Sequence, residues 1–188
     1  MKDRISVQAT VFPLTLSEAK DHLNVFHSED DDQISGMIRA ATFYVESQMQ
    51  VTMGQKTWEL YLDTVPEDSI IRLHHPPVSS LDKIEYYAVG DSDLTEFSTD
   101  NVILDDISKP CEIHLRPYAS WFTPEDRVNA IKVTYKAGYS SADDIPENWK
   151  QAVKLVVGHF YYNRGDEGHR AIIRTVHDLI FNDSVITV

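Results

Sequence analysis

The chain has 188 residues, 42% of them hydrophobic and 25% charged, which is enough apolar material for one soluble domain or two joined lobes. Its 30 acidic against 17 basic residues leave a net charge of −13, which argues against the Lys/Arg neutralisation of phosphates that nucleic-acid binding requires. A single cysteine, Cys111, excludes an internal disulfide and any cysteine-based zinc site within one chain.

In chain order, Met1-Lys2-Asp3-Arg4 is followed by Ile5-Ser6-Val7-Gln8-Ala9-Thr10, which has no continuous apolar core and does not resemble a signal peptide. The longest apolar stretches are too short to span a bilayer. With the lone cysteine, this gives the expectation of a soluble protein of a reducing cytoplasm with no membrane partner.

Residues from about 14 to 51 read as helical. In Thr15-Leu16-Ser17-Glu18 the threonine accepts from the amide three residues on while the glutamate reaches back, a capping box. The helix it opens carries Leu16, Ala19 and Leu23 on one face and ends near Asn24. A second helix is predicted from Ser28, with Glu29, Asp30, Asp31 and Asp32 in its first turn, where carboxylates meet the positive end of the helix dipole. Ile34, Met37, Ile38, Ala41, Val45 and Met49 then recur at helical spacing for about 20 residues.

From about 56 to 138 the period changes to two. Trp58, Leu60 and Leu62 alternate with Glu59, Tyr61 and Asp63, and Ile71 and Leu73 with Arg72 and His74. Ile84, Tyr86 and Ala88 follow, then Cys111, Ile113 and Leu115, then Ile131, Val133 and Tyr135. Such alternation predicts about five to seven short antiparallel strands with one buried face. Turn residues fall between them at Pro66-Glu67-Asp68, His75-Pro76-Pro77, Gly90-Asp91-Ser92-Asp93 and Ala137-Gly138.

The helical period returns near 145. Asp143, Asp144, Pro146 and Glu147 are start signals, and Trp149, Ala152, Val153, Val156, Val157, Phe160 and Tyr161 form one broad apolar stripe. The helix is expected to end around Asn163-Arg164-Gly165, with glycine in a left-handed cap. His169 to Phe181 reads as a further helix and Ser184 to Val188 as β-prone. The fold class is therefore α+β, a helical core of three to four helices with an inserted antiparallel β subdomain. The expected core is discontinuous, residues 1–51 plus 141–188, and the insertion is 52–140.

Several segments resemble a known family. Pro13-Leu14-Thr15-Leu16-Ser17-Glu18-Ala19-Lys20-Asp21-His22-Leu23 resembles the first helix of head–tail connector (adaptor) proteins of tailed phages and prophages. The acidic lead-in Glu29 to Asp32 followed by Ile34, Ile38, Ala40 and Ala41 likewise resembles that family. Thr57-Trp58-Glu59-Leu60 and Pro76-Pro77-Val78 look like the strand and loop of the subgroup with a β insertion. Val133-Thr134-Tyr135-Lys136-Ala137-Gly138-Tyr139, then Ile145-Pro146, Ala152 and His159-Phe160-Tyr161-Tyr162-Asn163-Arg164, is the most specific stretch. The resemblance implies a non-enzymatic virion subunit that forms a ring, a dodecamer, on the portal protein and links it to a stopper or tail-completion protein. It implies the virion neck as the location, host cytoplasm during assembly, no catalytic residue and no cofactor. The alternatives are another phage tail-completion or neck protein, and a small acidic enzyme or ligand-binding domain.

The chemistry-bearing residues read plainly. His22 and His27 lie five apart, and His74 and His75, placed in a strand, point opposite ways. His159, His169 and His177 lack HExxH-type spacing, so no metal is expected. The run Glu29 to Asp32 does not match a calcium loop; in a ring it would be channel-facing and keep phosphates from sticking. No nucleophile elbow, phosphate loop or dinucleotide fingerprint is present. Trp121 and Phe122, beside Pro117 and Pro124, are the leading candidates for an exposed partner contact, and Val185, Ile186 and Val188 for adding a strand to a neighbour's edge.

Overall fold

The computed structural model describes residues 2–163, 174–176 and 179. Among them are eight strands and three α-helices, in the order β1 (Lys2–Val7), α1 (Leu16–Leu23), α2 (Asp31–Met49), β2 (Lys56–Leu62), β3 (Ile71–Leu73), β4 (Val78–Tyr87), β5 (Leu94–Phe97), β6 (Val102–Asp105), β7 (Cys111–Leu115), β8 (Ile131–Ala137) and α3 (Glu147–Tyr162). The fold is α+β with antiparallel sheets. The chain divides into a sheet unit, which includes residues 2–9 and 55–138, and a helical unit, which includes residues 10–54 and 139–163.

In the sheet unit, five strands run in the order β1-β2-β8-β4-β5 and three in the order β3-β7-β6. β8 is central because its period-two pattern is the cleanest: Ile131, Val133, Tyr135 and Ala137 are all fully buried. Its neighbours present Leu60 opposite Val133 and Ile84 opposite the same residue from the other side. These side chains join Ile71, Leu73, Val102, Cys111 and Ile113 of the smaller sheet in one core, so each sheet covers the other's apolar face.

The N-terminal segment departs from the expected boundary at residue 51. Lys2–Val7 is a strand paired antiparallel with β2, so it belongs to the sheet unit. Its residues are exposed or half-buried on both faces, as an edge strand's are, which is why no apolar alternation announces it.

In the helical unit, the expected capping box at Thr15 is present, with the Glu18 amide donating to Thr15 Oγ1 and the Thr15 amide donating to Glu18 Oε2. Asn24 closes α1 at φ 55°, a left-handed position that asparagine tolerates. The second helix starts later than expected. Asp30 is its N-cap, so only Asp31 and Asp32 of the acidic run occupy the first turn. Ile34, Ile38, Ala41, Val45 and Met49 of α2 pack with Ala19 and Leu23 of α1, with Trp149, Val153, Val156 and Val157 of α3, and with Val176.

The end of α3 is capped by Asn163 at φ −113°, outside the left-handed region. The expected left-handed Gly165 and most of the His169–Phe181 segment lie outside the described residues. No helix among the described residues is long and apolar enough to cross a membrane.

Candidate assembly surfaces

The acidic entry to α2 is built into the helical unit. Tyr161 Oη donates to Asp30 Oδ2 at 2.6 Å and Lys20 Nζ to Asp31 Oδ1 at 2.6 Å. Tyr162 Oη, next along α3, donates to the Leu23 carbonyl at 2.7 Å. The Tyr161-Tyr162 pair thus holds the loop between α1 and α2 against α3. Of the four carboxylates, Glu29 is the freest, with 89% of its side chain exposed and His27 Nδ1 at 3.8 Å. Asp32 is exposed as well.

Trp121 and Phe122 lie in the sheet unit and are half-buried. Phe122 stacks on Tyr86 with centroids 3.8 Å apart, Trp121 tilts onto Phe97 at 5.4 Å, and Trp121 Nε1 donates to the Ser69 carbonyl at 2.9 Å. Both rings are therefore committed to contacts within the chain, and only their outer edges face solvent. Val185, Ile186 and Val188 lie outside the described residues.

The expectation for His74 and His75 is overturned. β3 ends at Leu73, and the two histidines sit in the bend that follows, so strand alternation does not apply to them. They converge on Asp3 of β1: His74 Nδ1 is 3.3 Å and His75 Nε2 3.5 Å from Asp3 Oδ2. Burial pushes the Asp3 carboxyl up, but hydrogen bonds and charge from both imidazoles outweigh it and hold it well below the usual carboxylate range. The Tyr135 hydroxyl is fully buried and has no hydrogen-bond partner among the described residues. Burial pushes its ionisation up, and the negative charge of Asp3 adds to this.

The outer face of the five-stranded sheet carries a ladder of alternating charge. Glu59 of β2 is buried although it points away from the core. Arg4 Nε donates to it at 3.0 Å and Tyr61 Oη at 2.8 Å, and Lys132 Nζ lies 3.6 Å away and 3.2 Å from Glu85. Burial pushes the Glu59 carboxyl up, and these cations and donors bring it below its ordinary value. Cross-strand register explains the set, since Arg4 faces Glu59 and Lys132 faces both Tyr61 and Glu85.

One group of metal-type donors escaped the sequence reading. Asp105, Glu112 and His114 bring one ligand atom each within 4.8 Å of one another on β6 and β7. The His114–Glu112 spacing of two on a strand was visible, whereas the pairing of Asp105 with Glu112 is set by register. Their present partners account for the grouping. Asp105 accepts from the Ile107 and Ser108 amides and the Ser108 hydroxyl, and Arg72 Nε sits 3.3 Å from Glu112.

Both units also display apolar side chains. In the helical unit, a groove of about 180 Å³ is lined by Phe12, Leu14, Leu16, Ser35, Ile38 and Arg39, and Phe26 and Phe43 stand 87% and 69% exposed. In the sheet unit, Ile107 is 88% exposed at the turn between β6 and β7. Exposed apolar groups of this kind mark contact surfaces when they cluster.

The family described as Head completion protein matches residues 14–172. No curated protein matches the sequence. Among solved structures, the chain is similar to one in the neck of an empty GTA particle computed with C6 symmetry, with a TM-score of 0.85 at 18% identity. It is also similar to a chain in the virion of a native gene transfer agent (GTA) particle, with a TM-score of 0.83 at 19% identity. A third is in the neck of a native GTA particle computed with C12 symmetry, with a TM-score of 0.76 at 20% identity. Each of these likenesses covers 100% of this chain and 97% of the other.

Proposed function

The chain belongs to the head completion protein family, a structural subunit of the head–tail neck, and from that premise we propose that its copies close into a ring on the portal of a tailed phage or phage-like particle. The ring extends the channel and presents its other face to a stopper or tail-completion protein. The observation that carries this reading is the family match over residues 14–172, supported by likeness along the whole chain to neck chains of particles with six- or twelvefold symmetry. Work of this kind is done by shape and contact, and it calls for no catalytic group or cofactor.

Ring contacts join the front of one subunit to the back of the next, so closure follows from a fixed rotation per subunit. Individual contacts of that kind are small, which suits a chain that stays monomeric when dilute and assembles on a template. In this reading the run Glu29 to Asp32 faces the channel, where its exposed members Glu29 and Asp32 repel the phosphates of passing DNA. The net charge of −13 acts in the same direction. The outer edges of Trp121 and Phe122, and the tail residues Val185, Ile186 and Val188, are proposed as contacts with neighbouring subunits.

Mixing the purified chain with its cognate portal and imaging the product by electron microscopy tests the proposal. A ring of this chain on one face of the portal is the expected result. Portal particles that remain bare at saturating concentration would sink it.

A further inference from the structure

We propose that the Asp106-Ile107 turn of one copy docks into the Arg39-rimmed groove on the helical unit of the next copy; this rests on the ring reading above. The turn is a preformed knob. Asp105 Oδ1 accepts from the Ile107 and Ser108 amides at 3.0 and 3.2 Å, and Oδ2 accepts from the Ser108 hydroxyl at 2.6 Å. Its shape is thus fixed before any partner arrives, which lowers the entropic cost of docking. Ile107 projects from it 88% exposed, and the Asp106 carboxylate beside it is exposed and in no ion pair among the described residues.

The groove offers the complement. Phe12, Leu14, Leu16 and Ile38 line about 180 Å³, room for a branched aliphatic side chain. Arg39 on its rim is exposed and, among the described residues, has no ion-pair partner. An apolar knob beside a free carboxylate therefore matches an apolar groove beside a free guanidinium, and such charge matching fixes register as well as affinity. Knob and groove are unlike surfaces, so the contact is heterologous and propagates from copy to copy.

The test measures rings formed on the portal by the full chain carrying R39D, D106R, both together, or I107S. Each single charge reversal is expected to lower ring occupancy about tenfold at fixed concentration, and the double swap to recover it to within about threefold. I107S is expected to lose rings without any change in melting temperature. Should a reversal disturb folding, R39Q and D106N make the same comparison with a smaller effect. Rings insensitive to the single changes, or a swap no better than either parent, would overturn this contact and leave the ring reading standing. A wild-type chain that forms no ring on its portal would overturn both.

Discussion

The Trp58 indole lies flat against the His75 imidazole, with ring centroids 3.8 Å apart and planes 10° from parallel. The stack orients the imidazole whose Nε2 reaches Asp3 Oδ2, and His74 Nδ1 approaches the same oxygen. Edge strand β1, which touches only β2 within its sheet, is thereby tied to the bend after β3.

Replacing Asp3 with asparagine should cost about 1.5–3 kcal/mol at neutral pH, the scale of hydrogen bonds to a charged group. The folded-state carboxyl is held below its unfolded value of about 3.9, so its contribution is complete above that pH. It is lost as pH falls through the folded value. Thermal melts of wild type and D3N from pH 7 to pH 2 should therefore keep a constant gap down to about pH 4 and a steadily narrowing one below it. A gap that stays constant over that range would show that the clamp is not electrostatic.

Tyr135 makes the opposite prediction. Its hydroxyl is buried without a partner among the described residues, which leaves the desolvation cost uncompensated. Tyr135→Phe should leave stability unchanged or raise it by about 1 kcal/mol in urea unfolding. A loss of stability would mean that the hydroxyl has a partner, such as an ordered water.

Glu46 sits buried in the last turn of α2, where its Oε1 accepts from the Met53 amide at 2.7 Å. Removing that acceptor strands a buried N–H. Glu46→Ala should destabilise by about 1–3 kcal/mol, and Glu46→Gln, which keeps a carbonyl oxygen, by clearly less. Equal losses from both variants, by chemical denaturation, would contradict the hydrogen bond's role.

Thr15 caps α1 with both arms of its box formed. Thr15→Ala should cost about 1 kcal/mol, and Thr15→Ser should recover most of it, since either hydroxyl accepts from the Glu18 amide. Hydrogen exchange of the first α1 amides reads this locally.

The sequence made legible whatever one buried face determines. The stripe of α2, the stripe of α3 and the alternation of β8 were readable because every third or fourth, or every second, residue meets a core. Edge elements were not. Strands β1 and β5 have exposed residues on both faces and so carry no period. β5 and β6 also sit in a stretch of Asp, Ser and Thr that reads as loop. The acidic run was seen at once, but its tyrosine partner lies 131 residues away and only the fold supplies it. The same is true of Asp3, whose histidines come 71 and 72 residues later. Trp121 and Phe122 were visible as aromatics, whereas their packing on Phe97 and Tyr86 depends on how β4 and β5 pair.

The most direct test of ring assembly is cryo-electron microscopy of the full chain incubated with its cognate portal. A closed ring of this chain on the portal, with its subunits related by rotation about the channel axis, is the predicted result. Portals left uncovered, with the chain monomeric beside them at high concentration, would contradict it.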